Sequence, residues 1–238
     1  MDDFLELMRS GPRKIAVTGH FGSGKTEFAV SLAFALAAEE RRGGESLALC
    51  DLDIENPYFR SRERQDALRA AGVRVYSDPS DGRNGSELQT ISAAIRAPLE
   101  DERCRVILDC GGDGSGAMLL RQFAKYFSPG DHRLLCVVNC CRPGTDSPEK
   151  AVEHIRAIES ASGLAVTGLI SNAHFIRQTT ADTVTEGWSF TKEVAAQTGV
   201  PALAACAMTS LLPAMTGCGF PIFPMGMYLR DSYLDKPV

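Results

Sequence analysis

The sequence predicts an α/β fold: a doubly wound, mostly parallel sheet with helices on both faces, three layers in all. Short, continuously apolar runs recur at 15–18, 47–50, 73–76, 106–108, 134–138 and 165–170, with a weaker one at 202–206. Runs of this length and composition are the pattern of strands buried on both faces. Between them lie longer stretches of helical apolar spacing at 26–41, 61–71, 87–97, 116–127, 147–160 and 183–198, as repeated strand–helix units require. The third observation is local. Between the first run and the first helix the chain reads Gly19-His20-Phe21-Gly22-Ser23-Gly24-Lys25-Thr26, a complete G-x-x-x-x-G-K-[ST] phosphate loop in the strand–loop–helix context that gives the motif its meaning.

Each element in turn places chemistry at one sheet edge. The first strand, 14–18, delivers the loop, whose glycines let backbone N–H groups turn toward an anion at a helix N-terminus. Gly19, Gly22, Ser23, Gly24, Lys25, Thr26 and Glu27 are therefore the candidate nucleotide-binding segment, with Lys25 reaching the β- and γ-phosphates and the Thr26 hydroxyl ligating Mg²⁺. The second run ends in Asp51-Leu52-Asp53, two carboxylates on one side of an extended segment. Beside a metal triphosphate, one carboxylate serves the metal's shell and the other orients or deprotonates the attacking water; a helix cap beside a solvated Asp is the alternative. The fourth run ends in Asp109, the apolar strand with a terminal carboxylate that holds Mg²⁺ through its water shell. Gly111 and Gly112 follow, allowing backbone N–H groups to approach a γ-phosphate and to move once it leaves. The fifth run ends at Asn139 and the sixth at Ser171-Asn172. In open sheets of this kind ligands lie beyond the carboxyl ends of the strands, where all these residues fall.

Composition narrows the partners. The 238 residues suit one domain spanning the chain, with 219–238 expected to be an irregular C-terminal segment. Net charge is −5 with no run of five Lys or Arg, so no nucleic-acid partner is expected. The longest apolar stretch, 28–38, is too short to cross a bilayer, and the acidic start Met1-Asp2-Asp3 is not a signal peptide. No membrane partner is expected, and the location expected is cytoplasmic. The eight cysteines include no Cys-x-x-Cys and read as structural thiols, with Cys140-Cys141 and the Cys206/Cys218 pair lacking metal spacing.

The phosphate loop, Asp51-Leu52-Asp53, Leu108-Asp109-Cys110-Gly111-Gly112-Asp113 and Leu169-Ile170-Ser171-Asn172 together resemble the MinD/ParA/Mrp group of P-loop ATPases, the CobQ/CobB/MinD/ParA nucleotide-binding domain. The chain is similar in particular to a subgroup of small, functionally unassigned ATP-binding proteins. Their marks are Asp-Ile-x-Asn-Pro-Tyr-Phe-Arg, here 53–60, and Asp-x-Gly-Gly-Asp-x-x-Gly-Ala, here 109–117. The resemblance implies a P-loop NTPase fold and a nucleoside triphosphate hydrolase acting through ATP and Mg²⁺. It implies that Asp51 sits in the magnesium shell, that Lys25 and Asp53 are catalytic with Asp53 positioning water, and that Asp109 and Gly112 form a second switch. Asn172 would recognise adenine, with Pro201 against the ring; the Asn-Lys-x-Asp of GTPases is replaced by Asn172-Ala173-His174-Phe175.

One departure bears on assembly. Dimer-forming members carry Lys-Gly-Gly where this chain has His20-Phe21-Gly22, which leaves Arg60 or Arg62 as the source of charge across an interface. The function implied is a Mg-dependent, ATP-hydrolysing switch acting on an unknown protein partner, with a nucleotide-dependent homodimer as one form. The alternative is a small-molecule kinase or carboxylate-activating ligase resembling dethiobiotin synthetase. A metallocentre-insertion role through Cys140, Cys141 or His174 is the third.

Overall fold

The computed structural model describes residues 2–40, 45–53, 64–76, 87–112 and 114–229. Eight strands form one sheet: β1 (Lys14–Thr18), β2 (Ser46–Leu52), β3 (Val73–Tyr76), β4 (Cys104–Cys110), β5 (His132–Val138), β6 (Gly168–Ser171), β7 (Ala202–Met208) and β8 (Ile222–Met225). Their spatial order is β3-β2-β4-β1-β5-β6-β7-β8, and every pairing is parallel. The doubly wound, three-layer α/β/α architecture expected from the apolar runs is the architecture present.

The helices are α1 (Asp2–Ser10), α2 (Lys25–Glu40), α3 (Gln65–Ala70), α4 (Glu87–Glu100), α5 (Gly114–Arg121), α6 (Pro148–Ser162) and α7 (Ala181–Thr198). Alternate strand residues feed opposite faces, as strand geometry dictates. Ile15, Val17, Leu47, Leu49, Leu135 and Val137 pack under α1, α2 and α3. Ala16, Ala48, Cys50, Val106, Leu108 and Cys136 pack under α4, α5, α6 and the end of α7. Helix α2 is apolar nearly all round because it is enclosed: Phe28 meets both Phe4 of α1 and Phe223 of β8, with ring centroids 6.3 and 5.4 Å away. Such a helix belongs in an interior.

Local signals set the ends. Ser147 caps α6 through the Lys150 amide and Gly163 closes it in a left-handed conformation; Thr180 and Thr183 form a reciprocal capping box on α7, which Gly199 ends the same way. Helix α4 runs through Pro98, where the sequence reading stopped it. Its terminal carbonyls at Leu99 and Pro98 accept from the Arg13 guanidinium at 2.6 and 3.5 Å, satisfying groups that the helix leaves unpaired. The expected helix at 116–127 is instead α5 followed by a 3-10 turn at Ala124–Tyr126. The sixth strand is Gly168–Ser171 rather than 165–170.

Two elements were not expected. Helix α1 covers α2, and Arg105 ends it by donating to the carbonyls of Met8 and Arg9 at 2.9 and 2.6 Å. The segment 219–238, read as irregular, contributes β8 to the sheet edge beside β7. Pro224 lies within β8, and its missing N–H is tolerated because an edge strand has one unpaired side. Tyr58, Phe59, Arg60, Arg62, Asp113, the loop 77–86 and the tail 230–238 lie outside the described residues. No helix among the described residues is long and apolar enough to cross a membrane.

Candidate nucleotide-binding site

The loop between β1 and α2 is packed too closely at two glycines to admit a side chain. Gly24 adopts φ +87°, and a Cβ there would lie 2.3 Å from the Asn172 carboxamide nitrogen. A Cβ on Gly112, just after β4, would fall 1.7 Å from the Gly19 carbonyl oxygen, so the two predicted nucleotide-contacting glycines touch backbone to backbone. Neither position accepts alanine without the chain moving.

Register brings the acidic residues together. Asp109 pairs with Val17 of β1 on one side and with Asp51 of β2 on the other, which sets both carboxylates at the end of β1 where the loop begins. Asp51 accepts the Asp53 amide at 3.1 Å. The Lys25 ammonium lies 3.0 Å from Asp53 Oδ2, both side chains about 95% shielded from water. That contact is an ion pair without hydrogen-bond alignment. Asp109 is wholly buried and neither oxygen has a well-formed hydrogen bond. Burial raises its carboxyl well above the ordinary range, the charge of Asp51 adds to the rise, Lys25 opposes it and Asp53 reinforces it. Asp51 and Asp53 thus raise the cost of charging Asp109 while Lys25 lowers it.

Thr26 is buried beside this cluster. Among the described residues no group of three or more His, Cys, Asp or Glu side chains is spaced to hold a metal directly. A cation here would meet the Thr26 hydroxyl and the buried oxygens of Asp109, which lie next to one another, a hard-oxygen donor set that suits Mg²⁺ with water completing its shell.

On the other flank, the chain after β5 braces the loop. Arg142 Nε donates to the Gly22 carbonyl at 3.0 Å. His20 stacks edge-on against His154 of α6 at 5.1 Å; burial, then the charges of His20 and Lys25, push His154 down to about 4, so it is neutral at physiological pH. Sequence reasoning missed Arg142 and His154, since neither belongs to a motif. A cleft of about 540 Å³ opens between the loop and this brace, lined by Gly22, Lys25, Thr26, Arg142 and Gly144 among others.

A second, apolar pocket adjoins it. Its walls include Asn172, Ala173, Ile176, Met208, Met225 and Met227, and it encloses about 60 Å³. Asn172 is buried at this junction with its Nδ2 donating to the Ser23 carbonyl at 2.7 Å. The residue expected to read a base therefore also fastens the phosphate loop. Glu27 lines both spaces, but its carboxylate accepts the backbone N–H groups of Tyr228 and Leu229, a role that the loop motif did not predict.

No known protein-family pattern matches the chain, and no curated protein matches it. Among solved structures it is similar to chloroplast FtsY from Physcomitrella patens, with TM-score 0.54 and 17% identity over 86% of this chain and 65% of that one. It is similar to the cell division protein FtsY from Thermotoga maritima at TM-score 0.52 and 19% identity, over 86% of this chain and 67% of that one. FtsY from Mycoplasma mycoides gives TM-score 0.53 and 13% identity, over 79% and 58%. The fold is that of the P-loop NTPases. The chain spans between 58% and 67% of the length of these relatives, and at these identities the likeness is one of fold.

Within a P-loop fold one expected residue is misplaced. Pro201 precedes β7, at the amino end of that strand, and is exposed. Seven residues of parallel strand, about 23 Å at roughly 3.3 Å each, separate it from the edge that carries the loop. Pro201 therefore does not share the edge that carries the loop, whereas Met208, at the other end of β7, lines the apolar pocket. Cys50, Cys104, Cys110, Cys136 and Cys206 are buried free thiols, and Cys140, Cys141 and Cys218 are half-buried.

Proposed function

We propose that the chain is an ATP-hydrolysing nucleotide switch of the MinD/ParA/Mrp-like kind, using Mg–ATP and acting on a protein partner. The observation that carries this reading is the buried Lys25–Asp53 ion pair beside the buried carboxylate of Asp109. Lys25 is the loop's side-chain charge for the β- and γ-phosphates. When phosphates claim its ammonium, Asp53 loses its counter-ion and is freed to accept a proton from, or orient, a water. Binding at the loop and activation at Asp53 are thereby one event, and loss of the γ-phosphate restores the ion pair.

The remaining residues take supporting roles. Backbone N–H groups from Gly22 to Thr26 cradle the phosphates, as at other glycine-rich helix N-termini. Thr26, Asp51 and Asp109 would hold Mg²⁺, which neutralises charge on the phosphate oxygens when bound. Gly112, in backbone contact with Gly19, would relay the state of the γ-phosphate into α5. The base would enter the apolar pocket, its ring among Met208, Met225 and Met227 and its amino edge on the Asn172 carboxamide. A carboxamide pairs with the N6 and N7 edge of adenine, whereas guanine offers an acceptor at O6 where adenine offers a donor. Position 175 is Phe, so the Asp that would hold guanine N1 and N2 is absent, which supports ATP over GTP.

The test is Mg²⁺-dependent hydrolysis of ATP and GTP by the full chain, with light scattering under ATP, ADP and no nucleotide. The switch reading expects slow ATP turnover and a nucleotide-dependent mass. Turnover only after a small-molecule acceptor is added, with one mass throughout, would replace it with the kinase or ligase reading.

A further inference from the structure

The chain that follows β8 does not leave the site. Residues 225–227 form one wall of the apolar pocket, and Leu229, itself buried, reaches the rim of the phosphate cleft. Polar and ring contacts hold this segment, beside the packing of the Leu229 side chain against the core under α2. The Glu27 carboxylate, one residue past the loop's Thr26, accepts the N–H groups of Tyr228 and Leu229. The Tyr228 ring packs on Phe34 of α2 with centroids 4.4 Å apart. Arg64, the residue before α3, donates to the Tyr228 carbonyl. Charge-assisted bonds from a carboxylate to backbone N–H groups are among the stronger single contacts in a protein, so the segment is latched rather than resting on the surface.

The space behind the latch is too small for its ligand. Pockets that seat small organic ligands run from about 300 to 1,000 Å³, whereas the apolar pocket encloses about 60 Å³. Of its walls, Asn172 is tied to the loop and Met208 ends a paired strand. Met225 is likewise fixed, as the last residue of β8 paired with Met208, whereas residues 226–227 lead directly into Tyr228 and Leu229, which the latch holds.

We infer that residues 226–229 form a strap that a nucleotide must lift, with Glu27 as its latch. The inference rests on the nucleotide-switch reading above and extends it to how nucleotide occupancy is passed to the C-terminal end of the chain. The strap and the base compete for one space, and the latch belongs to the helix that the phosphate loop starts. Lifting the strap also breaks the bond from Arg64, the residue before α3, to the Tyr228 carbonyl. The device reports an occupied site by freeing a peptide segment, which a protein partner can then take up.

The experiment is NMR-detected amide exchange of the full chain, with and without saturating Mg–ATP, alongside calorimetric titration of wild type and Tyr228→Ala. Exchange at the Tyr228 and Leu229 amides is expected to quicken by about tenfold or more when ATP binds, while amides of β1 and β5 stay protected. Tyr228→Ala, which loosens the strap without touching the loop, is expected to bind Mg–ATP about three- to tenfold more tightly, because a larger fraction of molecules is open. ATP binding with unchanged or slower exchange at both amides overturns the strap and leaves the nucleotide reading standing. So does a folded Tyr228→Ala variant with wild-type or weaker affinity. If neither protein binds ATP, the nucleotide reading fails and the strap with it.

Discussion

Replacing Asp109 by Asn removes a buried charge while keeping the shape of the site. Asp109 is wholly buried, its oxygens lack well-formed hydrogen bonds, and the β2–β4 register sets it beside Asp51. Neighbouring strands lie about 4.8 Å apart. Two carboxylates at about 5 Å repel by about 3 kcal/mol at an effective dielectric near 20. Lys25 offsets part of this, but it is already paired with Asp53. Burial first, and the Asp51 charge second, hold the Asp109 carboxyl well above its ordinary 3.8. A group whose folded pKa exceeds its unfolded one contributes stability below the unfolded value and loses it as pH rises through the folded value. The ligand-free wild type therefore weakens as pH climbs above about 4 into the range where Asp109 ionises, and Asp109→Asn lacks this component of the decline. Urea denaturation with chelator and no nucleotide should find the two proteins within about 1 kcal/mol at about pH 5. The variant should lead by about 1–3 kcal/mol at about pH 8.5, with equal slopes. Mg–ATP should close the gap by stabilising only the wild type's full donor set. Parallel stability curves across this range would refute the reasoning.

Two further substitutions separate the roles in the site. Asp53→Ala should keep ATP affinity, or raise it because Lys25 is no longer held, yet lose hydrolysis by about 10²–10⁴-fold, the usual contribution of a positioned base; single-turnover rates at wild-type level would move that role elsewhere. Asn172→Ala should weaken ATP by about 1–3 kcal/mol, the scale of one bidentate base contact. Because Asn172 also holds the Ser23 carbonyl, the same variant should weaken base-free tripolyphosphate by about 1 kcal/mol. Competition titrations with ATP, GTP and tripolyphosphate check both halves, and an Asn172→Ala variant indifferent to all three would remove the residue from the site.

Much of the sheet and the acidic cluster could be read from the sequence, because both rest on local pattern. A strand buried on both faces shows itself as an apolar run, and the residues that end such runs, Asp51, Asp109 and Asn172, fall at one edge whatever the details of packing. Helix α1 was not legible: nine residues with Phe4 and Met8 on one face have no helical identity until α2 and β8 supply something to pack on. Strand β8 was hidden by Pro224, which argues against a strand except at a sheet edge, and edges are a property of the fold. The partners of Asn172, Glu27 and Arg142 lie 149, 201 and 120 residues away in the chain, beyond any spacing rule. Pro201 precedes the run 202–206 and so begins that strand, but which sheet edge a strand's amino end faces depends on its direction. Only the parallel pairing of β7 with β6 decides that.

The central claim is that Lys25 links phosphate binding to Asp53, and isothermal titration of Mg–ATP into wild type and Lys25→Ala tests it most directly. Lys25→Ala removes the loop's only side-chain cation and should cost at least about 3 kcal/mol, more than a hundredfold in affinity, while circular dichroism and Asp53-independent stability measures show a folded chain. A folded Lys25→Ala protein that binds Mg–ATP as tightly as wild type would contradict the account.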